Sequence, residues 1–221
     1  MSDQAISGAT IGRLPIYLRA LGDMSRAGAT TVSSEALAAA TGVQSSLVRR
    51  DLAQFGSYGI RGVGYNVATL SEEIQHLVGA HKLWKVALVG AGNLGHALVR
   101  HFGLSADTFT IVAIVDINPD VVGTTMAGVT VTHQADLADT LRRTGAELAI
   151  IATPASAAQQ VADALVEAGV HSLLNMAPIT LHVPESVTVR SVDFTQELLI
   201  LSYHEAHRSP PAATADASTK S

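Results

Sequence analysis

The stretch Val86-Ala87-Leu88-Val89-Gly90-Ala91-Gly92-Asn93-Leu94-Gly95 constrains the fold more than any other part of this 221-residue chain. Four apolar residues read as a buried strand, and a G-x-G-x-x-G pattern follows at once and opens a helix. Each glycine then has its own task. Gly90 makes the turn, Gly92 lets the backbone approach a pyrophosphate, and Gly95 lets helix and strand pack closely, with the helix N-terminus facing the phosphates. Asp116 stands 21 residues after Gly95, at the end of the next apolar run, where a carboxylate accepts hydrogen bonds from adenosine ribose hydroxyls. Neither Arg nor Lys occurs among Ile117, Asn118, Pro119 and Asp120 to meet a 2′-phosphate, so NAD(H) is favoured over NADP(H).

Downstream the pattern alternates. Strands are predicted at 85–89, 110–115, 129–132, 148–152, 172–175 and 187–192, and helices at 136–143, 155–168 and 194–207. Such alternation implies an α/β fold, a Rossmann-type doubly wound parallel sheet with helices on both faces. Ligands of these sheets bind beyond the carboxyl ends of the strands. That rule adds Thr153, Pro154, Asn175, Ala177 and Pro178 to the candidate cofactor residues Gly90, Ala91, Gly92, Asn93, Leu94, Gly95, Asp116 and Ile117. Thr153 and Asn175 are positioned to orient ribose or the nicotinamide amide, or to satisfy backbone groups of their own loops.

The first 82 residues have a different character. Ile11, Leu14, Leu18 and Leu21 recur at helical spacing over 10–26, with Pro15 expected near the first turn. Ser33 and Ser34 are N-cap candidates for a second helix ending near residue 40, and a third is expected over 45–55. In Ala38-x₃-Gly42-x₅-Val48 the small residue permits close helix approach, glycine makes the turn, and valine seats the second helix, which is helix-turn-helix spacing. Gln44, Ser45, Ser46, Arg49 and Arg50 form its outward face, all types that bond base edges or phosphates. Residues 56–65 carry four glycines and read as a β-hairpin wing with Arg61 at its tip, suited to a narrow minor groove. Ser57, Tyr58 and Gly62 of the wing are further candidate DNA contacts. A helix over 71–81 is expected to link this winged helix-turn-helix domain to the sheet.

Charge supports that division. The formal net charge is −5, yet residues 1–70 carry +2 and the remainder −7, and three Arg against one Asp fall within 44–65. A basic face on an acidic body suits DNA, because only the field at the phosphates must be favourable. With no cysteine, disulfides, thiolate metal sites and thiol redox switches are excluded, so a redox signal must come from a bound cofactor. No apolar run approaches the roughly 18–20 residues needed to span a bilayer, and MSDQAISGAT has no leader-like pattern, which gives the expectation of a cytoplasmic protein without membrane contact.

Enzymatic function is not expected. The sheet region leaves no second domain to enclose a substrate and no Tyr/Lys or His/Asp relay at recognisable spacing. His204 and His207 lie one helical turn apart, but two ligands do not make a metal site, and none is expected.

Taken together, Leu14-Pro15-Ile16-Tyr17-Leu18-Arg19, Ser45-Ser46-Leu47-Val48-Arg49-Arg50-Asp51-Leu52, the 55–65 wing, the Gly90–Gly95 fingerprint, Asn175-Met176-Ala177-Pro178 and Val192-Asp193-Phe194 closely resemble the Rex family of redox-sensing repressors, over about residues 11–207. The resemblance implies a homodimer that binds a palindromic double-stranded operator, senses the balance of NADH and NAD⁺, and leaves DNA when NADH binds. It also implies a C-terminal helix swapped into the partner. Phe194, Leu198, Leu201 and Tyr203 are its expected dimer contacts, and its all-round apolar character agrees. The family's switch residues map onto Arg19, Asp193 and, where a Tyr is usual, His101, a departure that would make the switch pH-sensitive if the imidazole titrates near neutrality. The expected organisation is a DNA-binding domain with linker helix at 1–82, the cofactor domain at 83–193, a dimerisation helix at 194–208 and a disordered tail at 209–221. Two rivals remain: a winged-helix regulator of another adenine-containing ligand such as CoA, and a small NAD-dependent dehydrogenase bearing a DNA module. A structural interaction protein with neither ligand nor operator is the plain alternative.

Overall fold

The computed structural model describes residues 6–56, 59–60, 62–104 and 108–208. Ser57, Tyr58, Arg61 and the 209–221 tail, all assigned roles above, lie outside the described residues. The chain divides into two compact units, Met1–Leu83 and Trp84–Ser221.

In the first unit, α1 (Gly8–Arg26) starts earlier than its apolar spacing predicts, because the Ser7 hydroxyl accepts a hydrogen bond from the Thr10 N–H and caps the helix there. Pro15 therefore sits in the helix interior and not in its first turn. It is tolerated at an exposed position, away from the buried stripe of Leu14, Tyr17 and Leu21. β1 (Thr31–Val32) leads to α2 (Ser34–Thr41), capped by Ser33, and α3 (Ser45–Ala53) follows. Gly42 adopts φ +71° and returns its N–H to the Ala38 carbonyl, the left-handed helix ending that its spacing called for.

Among the described residues of the wing, one antiparallel bridge joins Ile60 and Gly64, and the extended pairing belongs to β2 (Tyr65–Asn66), which runs against β1. Gly64 permits this: at φ +95°, a Cβ there would lie 2.3 Å from the Val32 carbonyl oxygen. β1 escaped the sequence reading because two residues carry no detectable period. The next helix, α4 (Val67–Leu77), also departs from expectation. Asn66 caps it four residues early, and Val67, Leu70 and Ile74 are buried with α1, α2 and α3, so it completes the core of the first unit and is no bare linker.

The second unit holds a seven-stranded sheet. Its strands are β3 (Trp84–Val89), β4 (Phe109–Asp116), β5 (Thr125–Met126), β6 (Val129–His133), β7 (Leu148–Ile151), β8 (Ser172–Asn175) and β9 (Thr188–Ser191), in the order β5-β6-β4-β3-β7-β8-β9. All neighbours are parallel except β5, a two-residue strand missed at the sequence level. Without β5 the order is that of the doubly wound dinucleotide fold, which reverses between β3 and β7. α6 (Leu137–Thr144) and α7 (Ala155–Glu167) pack on the face carrying Ala87, Val89 and Ile151. The opposite face, with Val86, Leu88 and Ile150, receives α5 (Asn93–Leu104). α8 (Phe194–Ala206) closes the described chain and buries none of its residues.

Candidate cofactor crevice and nucleic-acid interface

The predicted cofactor residues lie at the carboxyl ends of strands, in the loops that follow them and in the first turn of α5. Gly90, Ala91 and Gly92 leave β3, with α5 starting at Asn93. Asp116 ends β4, Thr153 and Pro154 follow β7, and Asn175 ends β8. Their closeness rests on glycine. Gly90 has φ +104°, and a Cβ on it would meet the Ala152 carbonyl oxygen at 2.5 Å; a Cβ on Gly95 would meet the Gly90 carbonyl oxygen at 2.1 Å. Gly92 has nothing within 4 Å of its Cβ position, so its backbone is open to an incoming group. A helix N-terminus behind a clear glycine face is an anion-binding arrangement.

Asp116 is pre-set. One carboxylate oxygen accepts the Ala91 N–H at 2.6 Å and the other accepts the Asn118 N–H at 2.7 Å, which fixes the acid beside the turn and leaves lone pairs for hydroxyl donors. Ile117, the next residue, is exposed, and Leu94 is partly so. Thr153 contributes the most telling feature. Its hydroxyl oxygen is buried and has no hydrogen-bond partner within the protein, a cost a protein rarely bears unless a ligand or an ordered water supplies the missing group. Asn175 differs: fully buried, it donates to the carbonyls of Ala177 and Ile179 and accepts from the Ala177 N–H. Of the two roles open to it, the structure shows loop building. Ala177 is buried and Pro178 exposed in that loop.

The residues present fit a dinucleotide: a glycine cradle for pyrophosphate, a fixed acid for ribose and an orphaned hydroxyl next to the Gly90 turn. A bound nicotinamide would supply a redox signal, because its ring is cationic when oxidised and neutral when reduced.

In the first unit, Gln44, Ser46, Arg49 and Arg50 of the α3 region are exposed, and Ser45 is half-buried at its first turn. Gly62 is exposed in the wing. Arg49 is engaged: its guanidinium donates to the Ser34 hydroxyl at 2.9 Å and to Glu35 at 2.6 Å. Behind this face lies a network that sequence reasoning missed. Asp51, 0% exposed, accepts from Arg13 at 2.6 and 2.7 Å, from the Tyr17 hydroxyl at 2.7 Å and from the Thr10 hydroxyl at 3.1 Å. Burial alone would raise the Asp51 pKa, but these donors outweigh it and hold the carboxyl below the usual range. Burial, followed by the bond to Asp51, pushes the Tyr17 hydroxyl up. The signal available was position, since Asp51 falls on the same stripe as Val48 and Leu52, where an unpaired acid has no place.

The assigned switch residues are distributed. Arg19 is exposed on α1, His101 is exposed on α5 with its ring edge-on to Phe102, and Asp193 caps α8 by accepting from the Thr195 and Gln196 N–H groups. Among the described residues, no three His, Asp or Glu side chains cluster as a metal site.

Residues 5–53 match the family profile described as a putative DNA-binding protein N-terminus, and residues 81–179 match one described as a CoA binding domain. The redox-sensing transcriptional repressor Rex of Streptomyces coelicolor is 47% identical over 96% of this chain and 83% of its own length. That of Syntrophobacter fumaroxidans is 41% identical over 89% and 94%. The chain belongs to the Rex family of redox-sensing transcriptional repressors. Crystal structures agree: RSP, a Rex-family repressor solved with β-NAD⁺ and operator DNA, superposes with a TM-score of 0.85 at 33% identity, covering 92% of this chain and 95% of RSP. RSP solved with β-NADH gives 0.82 at 32% identity, over 92% and 97%. Rex membership accounts for the winged unit and the dinucleotide unit in one chain, and it makes this a DNA-binding regulator and not an enzyme. Among the described residues of this Rex-family chain, no helix is long and apolar enough to cross a membrane.

Proposed function

We propose that this chain works in the cytoplasm as a homodimer that holds a palindromic operator and releases it when NADH enters the crevice formed by Gly90, Ala91, Gly92, Asn93, Leu94, Gly95, Asp116, Ile117 and Thr153. The buried, unpaired Thr153 hydroxyl carries the cofactor part of this reading. Gln44, Ser45, Ser46, Arg49, Arg50 and the wing residues Ser57, Tyr58, Arg61 and Gly62 meet the DNA. Arg19, His101 and Asp193 serve as the switch. By linkage, NADH weakens DNA binding by the factor by which DNA weakens NADH binding.

Two unpartnered apolar surfaces support the dimer. The six large apolar side chains of α8, from Phe194 to Tyr203, are each at least 46% exposed. On the α5 face of the sheet, a groove of about 360 Å³ is lined by Phe102, Phe109, Leu148 and Leu174, where a doubly wound fold ordinarily lays another helix. A second copy covers both, with α8 exchanged between protomers through Phe194, Leu198, Leu201 and Tyr203. Removal of residues 194–221 is therefore expected to yield a monomer in sedimentation velocity and to abolish tight operator binding. A dimer of undiminished affinity after that truncation would contradict the swap.

Operator binding followed by fluorescence anisotropy at fixed salt, titrated with NADH, NAD⁺, NADPH and CoA, tests the whole reading. Release by NADH at far lower concentration than by the others is the expected result. The CoA binding description of the matching profile gives a second reading, and release by CoA in place of NADH would establish it. Thr153→Val separates site from scaffold. Losing an unsatisfied buried hydroxyl leaves the unliganded protein as stable as before or up to about 1 kcal/mol more stable, while NADH affinity drops. Destabilisation with unchanged NADH affinity would remove Thr153 from the site.

A further inference from the structure

Arg49 lies on the outward face of α3, yet it is held by Glu35 and Ser34 of α2. The Ser34 hydroxyl in turn bonds the Glu35 carboxylate, at 3.2 and 3.3 Å to its two oxygens, so the three side chains form a closed triangle. It sits in a cleft of about 620 Å³ bounded by Ser33, Gly62, Val63 and Tyr65, between the N-terminus of α2 and the wing. Both charged side chains stay wet, 51% exposed for Arg49 and 65% for Glu35. An exposed pair of this kind adds little to stability, so folding does not explain it. The Glu35 carboxyl is kept below its usual range by its own backbone N–H and then by Arg49, and it stays ionised at working pH. Through this triangle, a strong guanidinium donor on the face offered to DNA is neutralised before DNA arrives.

We propose that Glu35 is a specificity determinant of the DNA-binding unit. It occupies Arg49 as an internal stand-in for a phosphate and suppresses sequence-independent attachment. This rests on the DNA-binding reading above. A phosphate that competes for Arg49 leaves Glu35 facing like charge, and the contact releases little net counterion. Base-edge contacts at the correct sequence are untouched by this penalty, so Glu35 lowers random binding more than operator binding and widens the ratio between them.

The test uses full-length protein, wild type and Glu35→Gln, on a random-sequence duplex and on a selected palindrome of equal length, across a salt series. Glutamine keeps the shape and an acceptor oxygen for Arg49 but frees the Arg49 charge. Random-duplex affinity is expected to rise about threefold or more per protomer at moderate salt, and log K against log salt to steepen by about 0.9 for each Arg49 that gains a phosphate. The palindrome-to-random ratio falls, and adding Arg49→Gln cancels the gain. Weakened palindrome binding with random binding unchanged would overturn the proposal, because Glu35 would then be aiming Arg49 at a base. Unaltered affinities and slopes on both duplexes would overturn it too. Wild-type protein that binds neither duplex would instead remove the DNA reading itself, a result visible before any variant is made.

Discussion

Replacing Asp51 with alanine is expected to lower the stability of the DNA-binding unit by about 3 kcal/mol, more than 10 °C in its melting temperature for a unit of this size. Removing the acid takes the acceptor from three side chains at once, of which Thr10 can turn to the Ser7 hydroxyl at 2.8 Å. The Tyr17 hydroxyl is fully enclosed, while the Arg13 side chain is 23% exposed and regains some water, which sets the effect at the lower end for a broken buried pair. The dinucleotide unit should melt as before, and calorimetry that resolves two transitions would show which one moves. A shift below about 1 kcal/mol, within the range of ordinary surface substitutions and small caps, would mean that the network is dispensable. The acid limb carries the same information. Asp51 ionises below the usual range when folded, so its contribution is complete above about pH 4 and disappears as pH falls through the folded value. Asp51→Asn should flatten that limb and leave the neutral region parallel to wild type.

The second large effect is expected from Gly95→Ala. Its new Cβ would stand 2.1 Å from the Gly90 carbonyl oxygen and 3.5 Å from a Leu88 methyl, so α5 must back away from the turn. Overpacking of this sort costs about 1–3 kcal/mol in stability. Function suffers more, because the helix N-terminus and the Gly92 backbone then no longer converge on one pyrophosphate. NADH affinity is expected to fall about 100-fold, roughly 2.7 kcal/mol, while operator affinity without ligand is retained. The variant would be a repressor deaf to NADH, seen as anisotropy that stays high through the titration. Wild-type NADH release in this variant would show that the glycine cradle does not hold the cofactor.

The cofactor crevice was legible because its parts are local: a strand, a turn with obligatory glycines and a helix N-terminus occupy ten consecutive residues, and Asp116 follows at a spacing fixed by one crossover. The helix-turn-helix was legible for the same reason, since Ala38, Gly42 and Val48 specify a turn within two short helices. The wing was read only in part. Its glycines announce a turn, but the strand that Tyr65–Asn66 pairs with lies more than thirty residues earlier, and a two-residue strand has no period to detect. The early starts of α1 and α4 depended on Ser7 and Asn66, single capping side chains that a hydrophobic pattern does not register.

By itself the sequence determined the two-part architecture, the sheet class and the family, because each follows from residue type at short, fixed spacing. Tertiary structure alone decided which polar groups were already spent. Asn175 is consumed by its own loop, Arg49 is shared with Glu35, Asp51 is locked under α1 by Arg13 and Tyr17, and Thr153 is left wanting a partner. Hydrogen-bond satisfaction is a property of groups brought together across the chain: Asp51 and Arg13 are 38 residues apart, and no periodicity records that they meet.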